Sequence, residues 1–170
     1  MSRNRLLLLR TIDQAEGYLE LGMVEHALLS LQRRGQLVHG NGRACYLMGE
    51  SLRELECYHE ALYPLERSAL LIPDDIHVWL ALGWCYKRTG QLAKAISALE
   101  RAIKIDPSEG MLHYNLACYW SLAENRTQAL RYLAHALEID GNFRDLVRDE
   151  PDFNPLRDDA QFKQLTDIMV

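Results

Sequence analysis

Apolar residues recur along this chain with a helical period, most clearly between Ile76 and Pro107. Trp79, Leu82, Gly83 and Tyr86 fall at spacings of three, one and three, which places them on one face of an α-helix. Gly90 interrupts the run. Ala95, Leu99 and Ala102 then mark the apolar face of a second helix, and Pro107 closes it because proline cannot continue a helix. Large residues on the first helix face small ones on the second, so the two are expected to pack closely and antiparallel.

Shifting the frame by 34 residues recovers the same pattern. Tyr86 corresponds to Tyr18, Leu52 and Trp120; Ala95 to Ala27, Ala61 and Ala129; Leu99 to Leu31, Leu65 and Leu133. No insertion breaks the register, so the chain carries four repeats at about 8–41, 42–75, 76–109 and 110–143. The first is degenerate: Thr11 stands in the tryptophan column, Arg34 replaces a small residue, and the glycine-rich exit GQLVHGNG predicts that its second helix ends near Arg34. The second repeat lacks the glycine that Gly22 and Gly90 supply to the inter-helix turn, and Pro64 inside its second helix predicts a mild kink. After Gly141 the period ends. Phe143, Leu146 and Val147 suggest a short helix, Pro151 and Pro155 interrupt, and Asp158 or Asp159 is placed to cap a last helix carrying Phe162, Leu165 and Ile168.

The W..LG..Y…A…L..A….P arrangement resembles the tetratricopeptide repeat, and the EPDFNPLRDD stretch is similar to the ends of bacterial arrays of that family. The resemblance implies an all-α fold, a tetratricopeptide-repeat α-solenoid of about four helix-turn-helix repeats with a C-terminal helical cap. On this reading residues 1–142 form the array and 143–170 the cap. The cap is expected to bury Phe143, Leu146 and Phe162 against the last repeat, since a solenoid end otherwise exposes apolar surface.

Composition narrows the chemistry. The formal charge of −5 argues against nucleic acid, which needs a clustered basic footprint. Cys45, Cys57, Cys85 and Cys118 show neither a CxxC pair nor zinc-ligand spacing with any of the six histidines, and read as reduced core residues. The apolar run in MSRNRLLLLR is too short for a signal peptide, and no stretch reaches the ~18 apolar residues of a membrane span. These features point to the cytoplasm. No phosphate loop, nucleophile elbow, HExxH or calcium loop is present. The acidic tail is explained by solvation and helix capping. The chain reads as no enzyme, with no catalytic residue, metal or cofactor.

In the family, first helices line a concave groove. Positions 2, 5, 9 and 12 of each repeat form a stripe distinct from the packing columns, and position 5 is apolar throughout: Ile12, Tyr46, Leu80 and Tyr114. Trp84 stands beside that column, and Glu50, Lys87 and Asn115 complete the candidate peptide-groove residues. Two explanations are open: partner contacts, or packing against neighbouring first helices or a tail folded into the groove. Glu16 and Glu50 at one end, with Lys87 and Arg88 further along, suggest a segment whose basic end lies over the first two repeats. A lysine–arginine–asparagine clamp for chaperone C-termini is excluded. In one register its places hold Ile12, Glu16, Leu47, His77 and Ala81; in the other, Tyr46, Glu50, Ala81, Met111 and Asn115. The leading expectation is a scaffold binding a protein or peptide partner. A type III secretion-like chaperone and a self-associating structural module are the alternatives.

Overall fold

The computed structural model describes residues 3–166, and among these every regular element is helical. The chain divides into two compact units, Met1–Gln91 and Leu92–Val170, at the turn of the third repeat. The first unit holds α1 (Arg3–Glu20), α2 (Val24–Gln32), α3 (Gln36–His39), α4 (Gly42–Glu54), α5 (Tyr58–Leu71) and α6 (Ile76–Arg88). The second holds α7 (Leu92–Ile105), α8 (Gly110–Leu122), α9 (Arg126–Ile139), α10 (Phe143–Asp149), a 3-10 turn (Pro151–Leu156) and α11 (Ala160–Thr166).

The register is strict. First helices start at 42, 76 and 110 and second helices at 58, 92 and 126, so each start recurs after 34 residues. Local chemistry sets these boundaries. Asn41, Asp75 and Glu109, again one period apart, each accept a backbone N–H of the helix that follows. The inter-helix turn is equally regular: Met23, Cys57, Gln91 and Asn125 donate backbone N–H bonds of 2.8–2.9 Å to Tyr18, Leu52, Tyr86 and Trp120. This six-to-one closure needs a left-handed residue just before the donor. Gly22 and Gly90 supply it in two repeats, and in the others Glu56 and Glu124 adopt φ of 59° and 57°. The missing glycine of the second repeat therefore changes the residue and leaves the turn intact.

In the first unit the alanine and leucine columns form the floor of the core. Ala27, Leu31, Ala61 and Leu65 are fully buried. Gly49 permits the close approach of α4 to α5, because a Cβ there would lie 2.5 Å from Leu65 Cγ and 2.6 Å from its Cδ2. Gly49→Ala should destabilise the protein by about 1–3 kcal/mol through overpacking, despite alanine's better helix propensity. A denaturation midpoint equal to wild type would sink that account. Pro64 is buried within α5, which runs unbroken from Tyr58 to Leu71.

The degenerate first repeat compensates locally. Thr11 Oγ1 donates to the Leu7 carbonyl at 2.9 Å and accepts Arg34 Nε at 3.1 Å, so the two departures from the pattern satisfy one another. The second helix ends early, at Gln32, as the glycine-rich exit predicts, and the exit itself contains the short α3 and buries Val38 completely. In the tryptophan column, Trp79 Nε1 donates to the Pro73 carbonyl and, one period on, His113 Nε2 donates to that of Pro107, both at 2.8 Å. His113 is thereby a structural group.

The tail packs on the α8–α9 pair, with Phe153 and Phe162 fully buried and Phe143 nearly so. Leu146 corrects the expectation: it is 49% exposed, and Val147, the next residue, faces inward instead. Arg157 ties the segment together by donating to the Val147 and Glu150 carbonyls at 2.8 and 2.9 Å. Asp159 caps α11 by accepting from the Gln161 and Phe162 N–H groups, as expected, while Ile168 lies outside the described residues. Arg126 of α9 also pairs with Asp159, and this pairing, with the capping N–H groups, holds the carboxyl below its ordinary value of 3.8. A depressed folded pKa means stability present above the unfolded value and lost as pH falls through the folded one. Denaturation curves of wild type and Asp159→Asn should therefore differ above about pH 4 and converge at lower pH. A gap independent of pH would reject the linkage.

Candidate functional site

Most of the proposed groove residues lie on α4 and α6 of the first unit, which contact one another. Tyr46 is half-buried, with the Arg43 guanidinium 5.3 Å from its ring centre. Burial first, and then the neighbouring Glu50 carboxylate, push its phenol up to about 12, so it remains a neutral hydrogen-bonding group near neutral pH. Glu50 and Arg53 form a two-point pair, with Oε1 2.6 Å from Arg53 NH2 and Oε2 3.0 Å from Nε. Their side chains are only 20% and 25% exposed, and the pairing raises the guanidinium pKa further. Glu54 also touches Arg53. Cys85 of α6 lies within the field of this pair, and its thiol is pushed up to about 11, chiefly by burial. It is an inert core thiol.

Leu80 is half-buried on α6. Trp84 is 39% exposed, with the Lys87 ammonium 5.8 Å from its ring centre. A large indole left open to water beneath a cation contrasts with Val78, Ala81, Leu82 and Cys85 on the same helix, which are buried.

Two members of the apolar column are placed differently from the sequence expectation. Ile12 is only 7% exposed and belongs to the core of the first repeats with Ala15, Ala27 and Leu31. Tyr114, in the second unit, is 5% exposed. Phe143 stacks on its ring at 5.2 Å and Phe153 meets it edge-on at 5.9 Å, so here the tail does cover a first helix. Burial drives the Tyr114 phenol pKa strongly upward. Asn115 beside it is half-buried.

The expected charge polarity is also corrected. Glu16 pairs with Arg43 at 2.7 Å and Glu50 with Arg53, so the acidic end is neutralised internally. Arg43 and Arg53 already stood in the stripe at positions 2 and 12. Their roles were hidden because Glu16 and Arg43 are 27 residues apart and meet only through folding. Among the described residues, no three His, Cys, Asp or Glu side chains gather as a metal site, and no helix is long and apolar enough to cross a membrane.

Comparison with known proteins agrees with this architecture. The tetratricopeptide-repeat family profile matches residues 76–109. The Caenorhabditis elegans tetratricopeptide repeat-containing protein trd-1 is 31% identical over 93 residues, which are 55% of this chain and 10% of that relative. The chain thus spans about a tenth of that relative's length. Among solved structures, MamA superposes with a TM-score of 0.75 at 22% identity, covering 81% of each chain. YrrB, described as a TPR protein with an unusual peptide-binding site, gives 0.73 at 25% identity over 79% of this chain and 69% of its own.

Proposed function

The chain is a tetratricopeptide-repeat protein of all-α fold, and from that premise we propose that it is a non-enzymatic interaction scaffold whose first helices take a segment of a partner protein. The binding surface is the part of the stripe on α4 and α6: Tyr46, Glu50, Arg53, Leu80, Trp84 and Lys87. The exposed indole of Trp84 beneath Lys87 carries this reading, since large aromatics at half-open positions contribute most to an interface when a partner desolvates them. YrrB's peptide-binding site lends support from a protein of similar fold.

The internal pairing of the acids supports one partner chemistry over others. With Glu16 and Glu50 already neutralised, the surface favours a segment of low net charge. Such a segment lays apolar side chains on Trp84 and Leu80 and directs backbone amides at the rim of the Glu50–Arg53 pair. Tyr114 is left out of the contact set because the tail already covers it. Affinity capture from native lysate, comparing wild type with the Trp84→Ala, Tyr46→Ala variant of the full chain, tests the reading. Partners retained by wild type should be lost from the variant; identical captured sets would reject it.

A further inference from the structure

The strict period allows equivalent junctions to be compared, and one of them is open. Between α5 and α6, the Tyr86 hydroxyl donates to the Glu66 carboxylate at 2.6 Å. One period later Trp120 and Glu100 occupy the same two places, on α8 and α7. The bond is not repeated. Trp120 Nε1 is buried without a partner, and the Glu100 carboxylate stands unpaired among the described residues. In place of a closed junction there is a cleft of about 490 Å³ within the second unit, walled by Leu92, Ala93, Ile96 and Ala123 together with Glu100 and Trp120.

We infer that this cleft is a second binding site, distinct from the α4–α6 surface, and that it takes an arginine side chain presented by a partner protein. The lining is apolar apart from the Ser97 hydroxyl and one half-buried carboxylate, Glu100, beside an indole. That combination matches a side chain with an aliphatic stem and a cationic head. The stem covers Leu92 and Ile96, the head meets Glu100, and the indole adds attraction for a cation. Arginine fits better than lysine, because its planar guanidinium binds a carboxylate at two points and stacks on aromatic rings. A purely apolar side chain would leave Glu100 desolvated and unpaired, which is costly. An acidic one would be repelled.

The test uses the full-length, isotope-labelled chain and the probe acetyl-Leu-Arg-Leu-amide, with acetyl-Leu-citrulline-Leu-amide as the neutral isostere. Binding is read from the α7 backbone amides and the Trp120 indole N–H in NMR titrations. The arginine probe should shift both, and the citrulline probe should bind at least fivefold more weakly. Glu100→Gln should weaken the arginine probe by a similar factor. Trp120→Tyr should restore the phenol–carboxylate bond seen at Tyr86 and Glu66, close the cleft and abolish the α7 shifts. No α7 response, an equal response to citrulline, an unaltered Glu100→Gln, or undiminished binding in Trp120→Tyr would each overturn the assignment.

Discussion

Replacing Phe153 by alanine should cost the protein about 3–5 kcal/mol of stability, the range for emptying a well-packed phenylalanine site. Phe153 has no exposed surface and is bounded by Tyr114 and, at 5.5 Å between ring centres, by Phe162. Alanine there forfeits the transfer energy of the ring and leaves a void among aromatic groups. That void closes poorly, because Arg157 fixes the backbone around it through the Val147 and Glu150 carbonyls. Leu146→Ala serves as the control: that side chain is half-exposed, and its loss should stay within about 0.5 kcal/mol. Chemical denaturation followed by circular dichroism measures both. Equal midpoints for the two variants would mean that the tail does not cap the α8–α9 pair.

Trp84→Ala should speed dissociation of a captured partner roughly thirtyfold, the equivalent of a ~2 kcal/mol hot spot. The effect falls on dissociation because truncating a central apolar contact leaves the encounter step almost unchanged. Tyr46→Ala should act in the same direction but less, since half of its surface already serves the core and Arg43 covers its ring. Charge reversal at Glu50 is a poor probe of steering. It would strand the largely buried Arg53 guanidinium and so damage α4 as well as any interface. Surface plasmon resonance with the identified partner distinguishes these cases; an unchanged dissociation rate for Trp84→Ala would remove that residue from the interface.

Much of the fold was legible because it is written in one period. Ala27, Ala61, Ala95 and Ala129, with Leu31, Leu65, Leu99 and Leu133, all have fully buried side chains, as residues that repeat every 34 positions on one helix face should. The turns were less legible. Glutamate at 56 and 124 carries no sequence sign of a left-handed conformation, and the closing hydrogen bond imposes it. Candidate site residues were hardest to read. Position 5 is apolar in every repeat, yet Ile12 is consumed by the core and Tyr114 by the tail, while Tyr46 and Leu80 stay half-open. Periodicity tells which face a residue occupies; what lies across from that face depends on non-repeating segments. The same limit applied to Glu16 and Glu50, whose charge is cancelled by arginines that the pattern alone does not pair with them.

The covering of Tyr114 by Phe143 and Phe153 also has a consequence for biosynthesis. On the ribosome, α8 and α9 emerge before the aromatic residues that shield them. At ~5–20 residues per second the shielding aromatics follow α9 out on the order of a second later, and for that interval the apolar face is open to water. This interval is a window for chaperone capture or aggregation.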